Sequence, residues 1–323
     1  MTATTTRGPL SSAAHAAHVA TLEPVLTARD VSIEYEVEPP VHAVKNVSLT
    51  LHRGEILGLA GESGCGKTTL AYGLNRLLKP PAILRSGEVV FHDASGTDVD
   101  VVALTGDALR AFRWDKVSMV FQGAMNSLNP VLSVRAQLHD VLITHRPRMG
   151  RAERDERAAE LLRLVGVDPS RLDSFAHELS GGMRQRVMIA MALALNPQVM
   201  IMDEPTTALD VVVQRGILRE IMKLRERLGF AVVFITHDLP LLLEIGDRIA
   251  VMLEGEIVEI DTAENIYLRA QHPYTRKLLD SFPSLTGERG GFIRTGTGTG
   301  TGTVDGTGAE PSGNDEPNGE VPA

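Results

Sequence analysis

The stretch that decides the fold is Gly61-Glu62-Ser63-Gly64-Cys65-Gly66-Lys67-Thr68, in which Gly61 and Gly66, separated by four residues, precede Lys and Thr. It follows an apolar strand pattern at 55–60 and precedes a helical pattern from Lys67 to Leu78. Glycines let backbone N–H groups surround a phosphate chain, while the helix N-terminus and Lys67 add positive charge. Thr68 can then ligate Mg²⁺. An ordinary glycine-rich turn is the plain alternative, but this context predicts a nucleoside triphosphate site.

Length and composition indicate a globular protein. The chain has 323 residues, of which 43% are hydrophobic, enough for one large domain or two modest ones. The formal net charge is -9. Part of this negative charge lies in residues 286–323, which contain six acidic and two basic residues. A mildly acidic body disfavours nonspecific nucleic-acid binding, which relies on clustered positive charge. The single cysteine excludes a disulfide framework or a cysteine-ligated iron–sulfur cluster within the chain and favours the cytosol.

No stretch of the sequence predicts a membrane span. The longest charge-free apolar run, Val187 to Met202, is short for a bilayer helix and is interrupted by Asn196-Pro197. The N-terminus also lacks the basic start and apolar stretch of a signal peptide. We therefore expect any membrane role to come through a partner.

Hydrophobic patterning predicts a single α/β domain with appended segments. Apolar residues alternate at 25–37 and 43–51, whereas 198–202 and 230–236 are nearly continuous apolar runs typical of strands covered on both faces. A β/α alternation after residue 180 predicts a parallel sheet. We divide the chain into a flexible lead at 1–24, a main domain at 25–262 with a helical subdomain at about 105–178, a C-terminal extension at 263–290 and a disordered Thr/Gly-rich tail at 291–323.

Two adjacent carboxylates, Asp203 and Glu204, end the apolar strand pattern at 198–202. Ligands of α/β sheets bind at this end of the strands. Because neighbours on a strand point to opposite sides, we assign Asp203 to Mg²⁺ and Glu204 to the base that addresses an attacking water. Alternatively, both acids only cap the next helix ahead of Pro205. The phosphate loop in the same chain favours the chemical interpretation.

A second glycine-rich segment, Leu179-Ser180-Gly181-Gly182, begins another helical pattern and offers a second anion-binding geometry, although Ser180 could be only an N-cap. The order of all these features is informative. It runs from the phosphate loop through Gln122, the Leu179–Gly182 segment, Asp203-Glu204 and Asp210 to His237. In this order the chain resembles the ATP-binding-cassette (ABC) family from about residue 25 to residue 260.

The resemblance implies a P-loop NTPase (RecA-like) α/β core with an antiparallel β subdomain and a helical insertion of the ABC ATPase type. It also implies that two cassettes pair head to tail, with each ATP between the phosphate loop of one chain and the signature segment of the other. Ser180 and Gly182 then serve the partner's γ-phosphate, while Lys67, Thr68 and Thr69 serve their own nucleotide.

The resemblance further assigns Gln122 to the Mg²⁺ and water environment and His237 to the γ-phosphate, with a hydrogen-bonded strand-end histidine as the alternative. Tyr35 corresponds to the aromatic residue that stacks on adenine, with a core-facing strand tyrosine as its rival. The expected catalytic residues are Glu204, His237 and Gln122, and the expected Mg²⁺ ligands are Thr68, Gln122 and Asp203. The expected ATP-binding residues are Tyr35, Gly61, Glu62, Ser63, Gly64, Cys65, Gly66, Lys67, Thr68, Thr69, Ser180, Gly181, Gly182 and Asp210.

Three stretches narrow the family to the ATPases of dipeptide, oligopeptide and nickel importers. They are Met183 to Leu195 after the two glycines, Asp203 to Val211, and Gln271-His272-Pro273-Tyr274-Thr275. Asn126 to Pro130 fits the same group, whereas Gly123-Ala124 departs from its usual pattern and leaves the local contact with the membrane subunit open.

This resemblance implies an ATP-hydrolysing subunit of a bacterial importer at the cytoplasmic face of the cell membrane. Its expected partners are two transmembrane permease subunits, a paralogous second ATPase or a second copy of the chain, and an extracytoplasmic solute-binding protein, with no nucleic acid. The alternatives are an exporter cassette and a soluble ABC ATPase acting on DNA or ribosomes. Peptides, nickel chelates and oligosaccharides all remain possible solutes.

Overall fold

The computed structural model describes residues 22–123, 127–207 and 209–281. Its strands are β1 (Pro24–Tyr35), β2 (Val41–His52), β3 (Ile56–Ala60), β4 (Ala82–His92), β5 (Asp98–Asp100), β6 (Val117–Val120), β7 (Val199–Asp203), β8 (Ala231–Ile235), β9 (Arg248–Leu253) and β10 (Glu256–Thr262). Its α-helices are α1 (Lys67–Leu74), α2 (Gly106–Asp115), α3 (Val134–His145), α4 (Arg151–Leu164), α5 (Gly181–Ala192), α6 (Val211–Leu228), α7 (Leu239–Ile245), α8 (Ala263–Arg269) and α9 (Pro273–Asp280). The predicted tail, most of the predicted lead, and Ala124 and Asn126 lie outside the described residues.

The strands form two sheets, which confirms the predicted α/β class. A six-stranded sheet has the order β10-β9-β3-β8-β7-β6, and a four-stranded antiparallel sheet has the order β2-β1-β4-β5. In the larger sheet the pairs from β9 to β6 are parallel, and only β10 runs antiparallel, as the second strand of a hairpin with β9. The parallel strands bring the ends of β3, β7 and β8 to one edge of the sheet.

Both faces of the larger sheet are covered, as the continuous apolar runs predict. Alternate residues of each strand belong to different core clusters: Ile201 packs towards the four-stranded sheet and α1, whereas Met200 and Met202 pack towards the other helices. Burial on both faces removes the polar positions that a half-exposed strand would need. The phosphate-loop strand therefore sits at the centre of the fold.

Several predicted boundaries are wrong. Helix α1 ends at Leu74 instead of Leu78, because Asn75 caps it and Arg76 adopts a left-handed conformation (φ 54°). The residues Gly87 to His92 read as a strand in the sequence, but strand β4 begins earlier, at Ala82. The helical pattern in the sequence spans Met183 to Leu195, but helix α5 begins at Gly181, immediately after its N-cap Ser180. The two helix ends are set by local capping, which hydrophobic periodicity does not report.

Strand β6, the edge strand of the larger sheet, lies within the predicted helical subdomain at 105–178, where the sequence shows an apolar strand pattern at Val117 to Phe121. Within the C-terminal extension the sequence reads as one short helical segment from Glu264 to Asp280, but the structure has two helices, α8 and α9, separated at Ala270 to His272. None of the described helices is long and apolar enough to cross a bilayer.

Candidate functional site

The phosphate loop connects the end of β3 to the start of α1 and is packed closely from behind. Gly66, the N-cap of α1, has φ 106°, and a Cβ there would lie 2.2 Å from the Ala43 carbonyl oxygen. A Cβ on Gly61 (φ 148°) would lie 2.3 Å from the Met252 carbonyl oxygen. Both positions therefore require glycine for space as well as for conformation.

Lys67 brings a buried positive charge to this loop. Its side chain is 6% exposed, and Nζ donates hydrogen bonds to the carbonyl oxygens of Gly61 (2.8 Å) and Glu62 (2.7 Å). In the described part of the chain no carboxylate lies within ion-pair distance of Nζ. A cation that is held by carbonyl oxygens and lacks an anionic partner is well placed to attract a phosphate.

A cleft of about 570 Å³ opens beside the loop. It gathers ten of the predicted residues: Tyr35, Ser63, Gly64, Gly66, Lys67, Thr68, Thr69, Gln122, Asp203 and Glu204. Sequence reasoning missed the rest of its lining, including Val41, His42, Ala43, Lys45, Ile235, Glu254 and Gly255. The β9–β10 hairpin turn is joined to the loop because the Gly255 N–H donates to the Cys65 carbonyl oxygen (3.0 Å).

Asp203 is fully buried at the end of β7. Its Oδ1 accepts a hydrogen bond from Thr68 Oγ1 (3.2 Å), whereas Oδ2 has no hydrogen-bond partner among the described residues. Burial raises the pKa of Asp203, and the Thr68 hydrogen bond offsets this only in part. An orphaned carboxylate oxygen beside a threonine hydroxyl is a donor set of the kind that Mg²⁺ prefers.

No group of three or more His, Cys, Asp or Glu within the described ranges could hold a metal ion alone.

Glu204 lies just beyond β7 and has φ 45°. We predicted that alternation along a strand points the side chains of Asp203 and Glu204 to opposite sides, and this reason is wrong. The left-handed conformation of Glu204 redirects its side chain instead. Its carboxylate accepts hydrogen bonds from His237 Nδ1 (2.9 Å) and Thr207 Oγ1 (2.7 Å). Burial opposes ionisation, but these two hydrogen bonds lower the pKa of Glu204 below its ordinary value. The carboxylate is thus ionised and fixed in orientation at neutral pH.

Tyr35 is half-buried and lines the cleft, so its side chain is not simply a core residue. Its hydroxyl lies 3.1 Å from Thr69 Oγ1. Gln122, two residues after the end of β6, lines the same cleft. His237 reaches the site through Glu204, with 60% of its side chain exposed.

The second glycine-rich segment does not line the cleft. Ser180 is exposed, and its Oγ accepts a hydrogen bond from the Met183 N–H (3.3 Å) as the N-cap of α5. Asp210 is also exposed and caps α6, because its Oδ1 accepts a hydrogen bond from the Val213 N–H (2.9 Å). A Cβ on Gly182 would lie 2.7 Å from Val213, so the two helix N-termini are adjacent. Ser180, Gly181, Gly182 and Asp210 thus belong to a second, outward-facing surface.

Tyr274 on α9 is a further residue at the loop that sequence reasoning did not connect with the nucleotide. Its hydroxyl oxygen accepts a hydrogen bond from the backbone N–H of Glu62 (3.1 Å). The only sequence signal was its place in the Gln271 to Thr275 motif, which we used to narrow the family.

The fold and the cleft define a phosphate-loop nucleotide-binding cassette. The chain belongs to the ABC transporter family, which matches residues 44–207. A second family, the oligopeptide/dipeptide transporter C-terminal region, matches residues 258–305. These matches confirm the resemblance that the motifs indicated.

Similarity to individual proteins also supports the assignment to the ABC transporter family. The chain is 44% identical over 263 residues to the probable peptide ABC transporter ATP-binding protein y4tR of Sinorhizobium fredii, covering 80% of this chain and 77% of that protein. It is 40% identical over 265 residues to the oligopeptide transport ATP-binding protein OppD of Bacillus subtilis, covering 81% and 72%. A dimeric post-hydrolysis state of the ATP-binding cassette MJ0796 bound to ADP and Pi superposes with a TM-score of 0.64 and 32% identity, covering 74% of this chain and 98% of that one.

Proposed function

We propose that this chain is the ATP-hydrolysing subunit that energises a bacterial ABC importer for peptides or related solutes. The observation that carries the proposal is the cleft that joins the phosphate loop, Asp203 and Glu204, in a chain whose C-terminal segment matches the oligopeptide/dipeptide transporter region. That segment, and relatives named for peptide transport, favour import over an exporter cassette or a soluble ABC ATPase.

The proposed reaction is attack of water on the γ-phosphorus of ATP, which breaks the bond to the bridging oxygen and yields ADP and phosphate. Glu204 accepts the proton of the attacking water, because its carboxylate is ionised and held by His237. Lys67 and the loop N–H groups neutralise phosphate charge, and positioning of this kind accounts for most of the catalysis in phosphoryl transfer. Mg²⁺, when bound, would be held by Thr68, Gln122 and Asp203 and would supply further charge neutralisation.

The outward-facing surface at Ser180, Gly182 and Asp210 supports a head-to-tail pair in which each chain completes the other's ATP site. The remaining ATP contacts that we assign are Tyr35, Gly61, Glu62, Ser63, Gly64, Cys65, Gly66, Thr69 and Gly181. This chain pairs either with a paralogous ATPase or with a second copy of itself. The pair docks on two permease subunits at the cytoplasmic face of the membrane, and these subunits work with a solute-binding protein. We keep the proposed domain limits of 25–262 for the cassette and 263–290 for the extension.

Affinity purification of the tagged full-length chain from bacterial membranes tests this function. The proposal predicts recovery of two polytopic membrane proteins and an ATPase activity that rises when the purified complex is supplied with its solute-binding protein and peptide. Recovery of ribosomes or DNA instead of permeases, or a purified complex that does not hydrolyse ATP, would contradict it.

A further inference from the structure

The C-terminal helix α9 touches the phosphate loop directly. The Tyr274 hydroxyl oxygen accepts a hydrogen bond from the backbone N–H of Glu62, 212 residues earlier in the chain. We propose that Tyr274 is a positioning residue that holds the phosphate loop in its nucleotide-binding conformation and so makes ATP affinity depend on the C-terminal segment. The inference rests on the proposed ATPase function.

A chain of hydrogen bonds fixes the start of α9 on the larger sheet. The Glu259 carboxylate, on β10, accepts hydrogen bonds from the backbone N–H groups of Gln271 (2.6 Å) and His272 (3.1 Å). His272 Nδ1 then accepts from the Tyr274 N–H (3.2 Å) and caps the helix. The position of Tyr274 is therefore set by the sheet edge, independently of any nucleotide.

Packing fixes the tyrosine ring as well. Tyr274 and Leu279 are buried in the larger core cluster together with Ile266 and Tyr267 of α8. Burial also raises the pKa of Tyr274, so its hydroxyl stays neutral at physiological pH and its oxygen accepts the Glu62 N–H. A rigid acceptor held by the core can hold the more mobile partner in place.

The loop needs such a support because its first half is exposed. Glu62, Ser63 and Gly64 are exposed, and Gly64 has φ 81°. The second half is held by Gly255, whose N–H donates to the Cys65 carbonyl oxygen. Loss of the Tyr274 contact leaves the first half to be ordered on nucleotide binding, which lowers affinity. Glu204 and His237 follow the ends of two other strands, β7 and β8, so the chemical step is spared.

The test compares Tyr274→Phe with Thr275→Val in the full-length chain. Thr275, the next residue of α9, is fully buried, and its Oγ1 has no hydrogen-bond partner among the described residues, so Thr275→Val removes a hydroxyl from the same helix without touching the loop. For Tyr274→Phe we expect Kd and KM for ATP to rise roughly three- to tenfold, as loss of one neutral hydrogen bond implies, with kcat within about twofold of the parent. Thr275→Val should leave all three constants unchanged.

Hydrogen exchange provides a second readout. In Tyr274→Phe without nucleotide, exchange in the peptide that contains Glu62 should accelerate, because that N–H has lost its acceptor, whereas exchange in α5 should not. Unchanged ATP affinity and unchanged loop exchange in Tyr274→Phe would overturn the inference, as would an equal effect of Thr275→Val. If the parent chain itself fails to bind ATP, the proposed function fails. If the parent binds ATP normally and Tyr274→Phe changes neither the ATP affinity nor the loop exchange, only the positioning role fails.

Discussion

The chain places a glycine-rich segment at two helix N-termini, and the surroundings of the two differ. The phosphate loop, ahead of α1, is backed by the carbonyl oxygens of Ala43 and Met252 and faces a cleft that contains Asp203. The segment at the start of α5 contains an exposed serine, Ser180, whose hydroxyl caps its own helix within this chain. Both are anion-binding geometries, but among the described residues only the first is surrounded by groups that we propose to be catalytic.

This difference indicates which part of an ATP site a single chain supplies. The first segment has a buried cation, an orphaned carboxylate oxygen and an oriented Glu204 within the same chain. The second has none of these, and its neighbour Asp210 is also exposed. The contrast is expected if the second segment belongs to the nucleotide of a partner chain.

Glu204→Gln should give the largest effect, because it removes the base from the first region and leaves the second untouched. We expect kcat for ATP hydrolysis to fall by roughly 10²- to 10⁴-fold, the usual range for loss of general base catalysis, with ATP affinity retained. Glutamine can still accept the His237 hydrogen bond, so the geometry is kept. Steady-state ATPase assays and nucleotide binding check this.

The matched control is Glu244→Gln, which makes the same charge change at an exposed position on α7. It should leave kcat unchanged. Hydrolysis at near-parental rates by the Glu204 variant would refute the assignment of the base.

Ser180→Asp should give a smaller effect that acts across the pair. Aspartate is a good N-cap, so α5 is retained, but its negative charge would face the partner's γ-phosphate. We expect the ATPase rate to fall roughly 10- to 100-fold, the range for a hydrogen bond to a charged group, while each monomer keeps its ATP affinity.

Ser133→Asp is the control for this substitution. Ser133 caps α3 through the Ala136 N–H at 3.3 Å, the same distance as in the Ser180 cap. Equal ATPase rates for the two variants would show that Ser180 is only a cap.

Asp203→Asn should give the smallest effect. This effect is on the stability of the folded chain in the absence of nucleotide and metal. Because burial raises the pKa of Asp203 in the folded state, its ionisation at neutral pH disfavours folding. The asparagine variant should therefore have a higher Tm at neutral pH, measured by calorimetry in the presence of a chelator. The gain should vanish at acidic pH, where the parent carboxyl is protonated in both states.

Asp93→Asn should show the opposite sign. The hydrogen bond from Lys116 (2.5 Å) lowers the pKa of Asp93 to about 2. That carboxylate contributes stability above its ordinary pKa, and the contribution is lost as the pH falls towards about 2. The Asp93 variant should therefore have a lower Tm at neutral pH. A change of the same sign in both variants would contradict the difference between the two carboxylates.

The sequence predicted the class of fold and both glycine-rich segments because each depends on local patterns. Phosphate-loop spacing, continuous apolar strands and a serine before two glycines are all readable within a few residues. The end of α1 was missed because it depends on the left-handed Arg76. The support of the loop by Ala43, Met252 and Tyr274 was missed because those residues are remote in sequence and no local pattern reports such contacts.

The central claim is that the two segments of one chain serve two different nucleotides. The most direct measurement mixes two impaired variants of the chain, Lys67→Ala and Ser180→Asp, and follows ATP hydrolysis. In mixed pairs, one site combines the intact phosphate loop of the serine variant with the intact signature segment of the lysine variant. Mixing should therefore give an ATPase rate well above that of either variant alone. A mixture no more active than its separate components would contradict this claim.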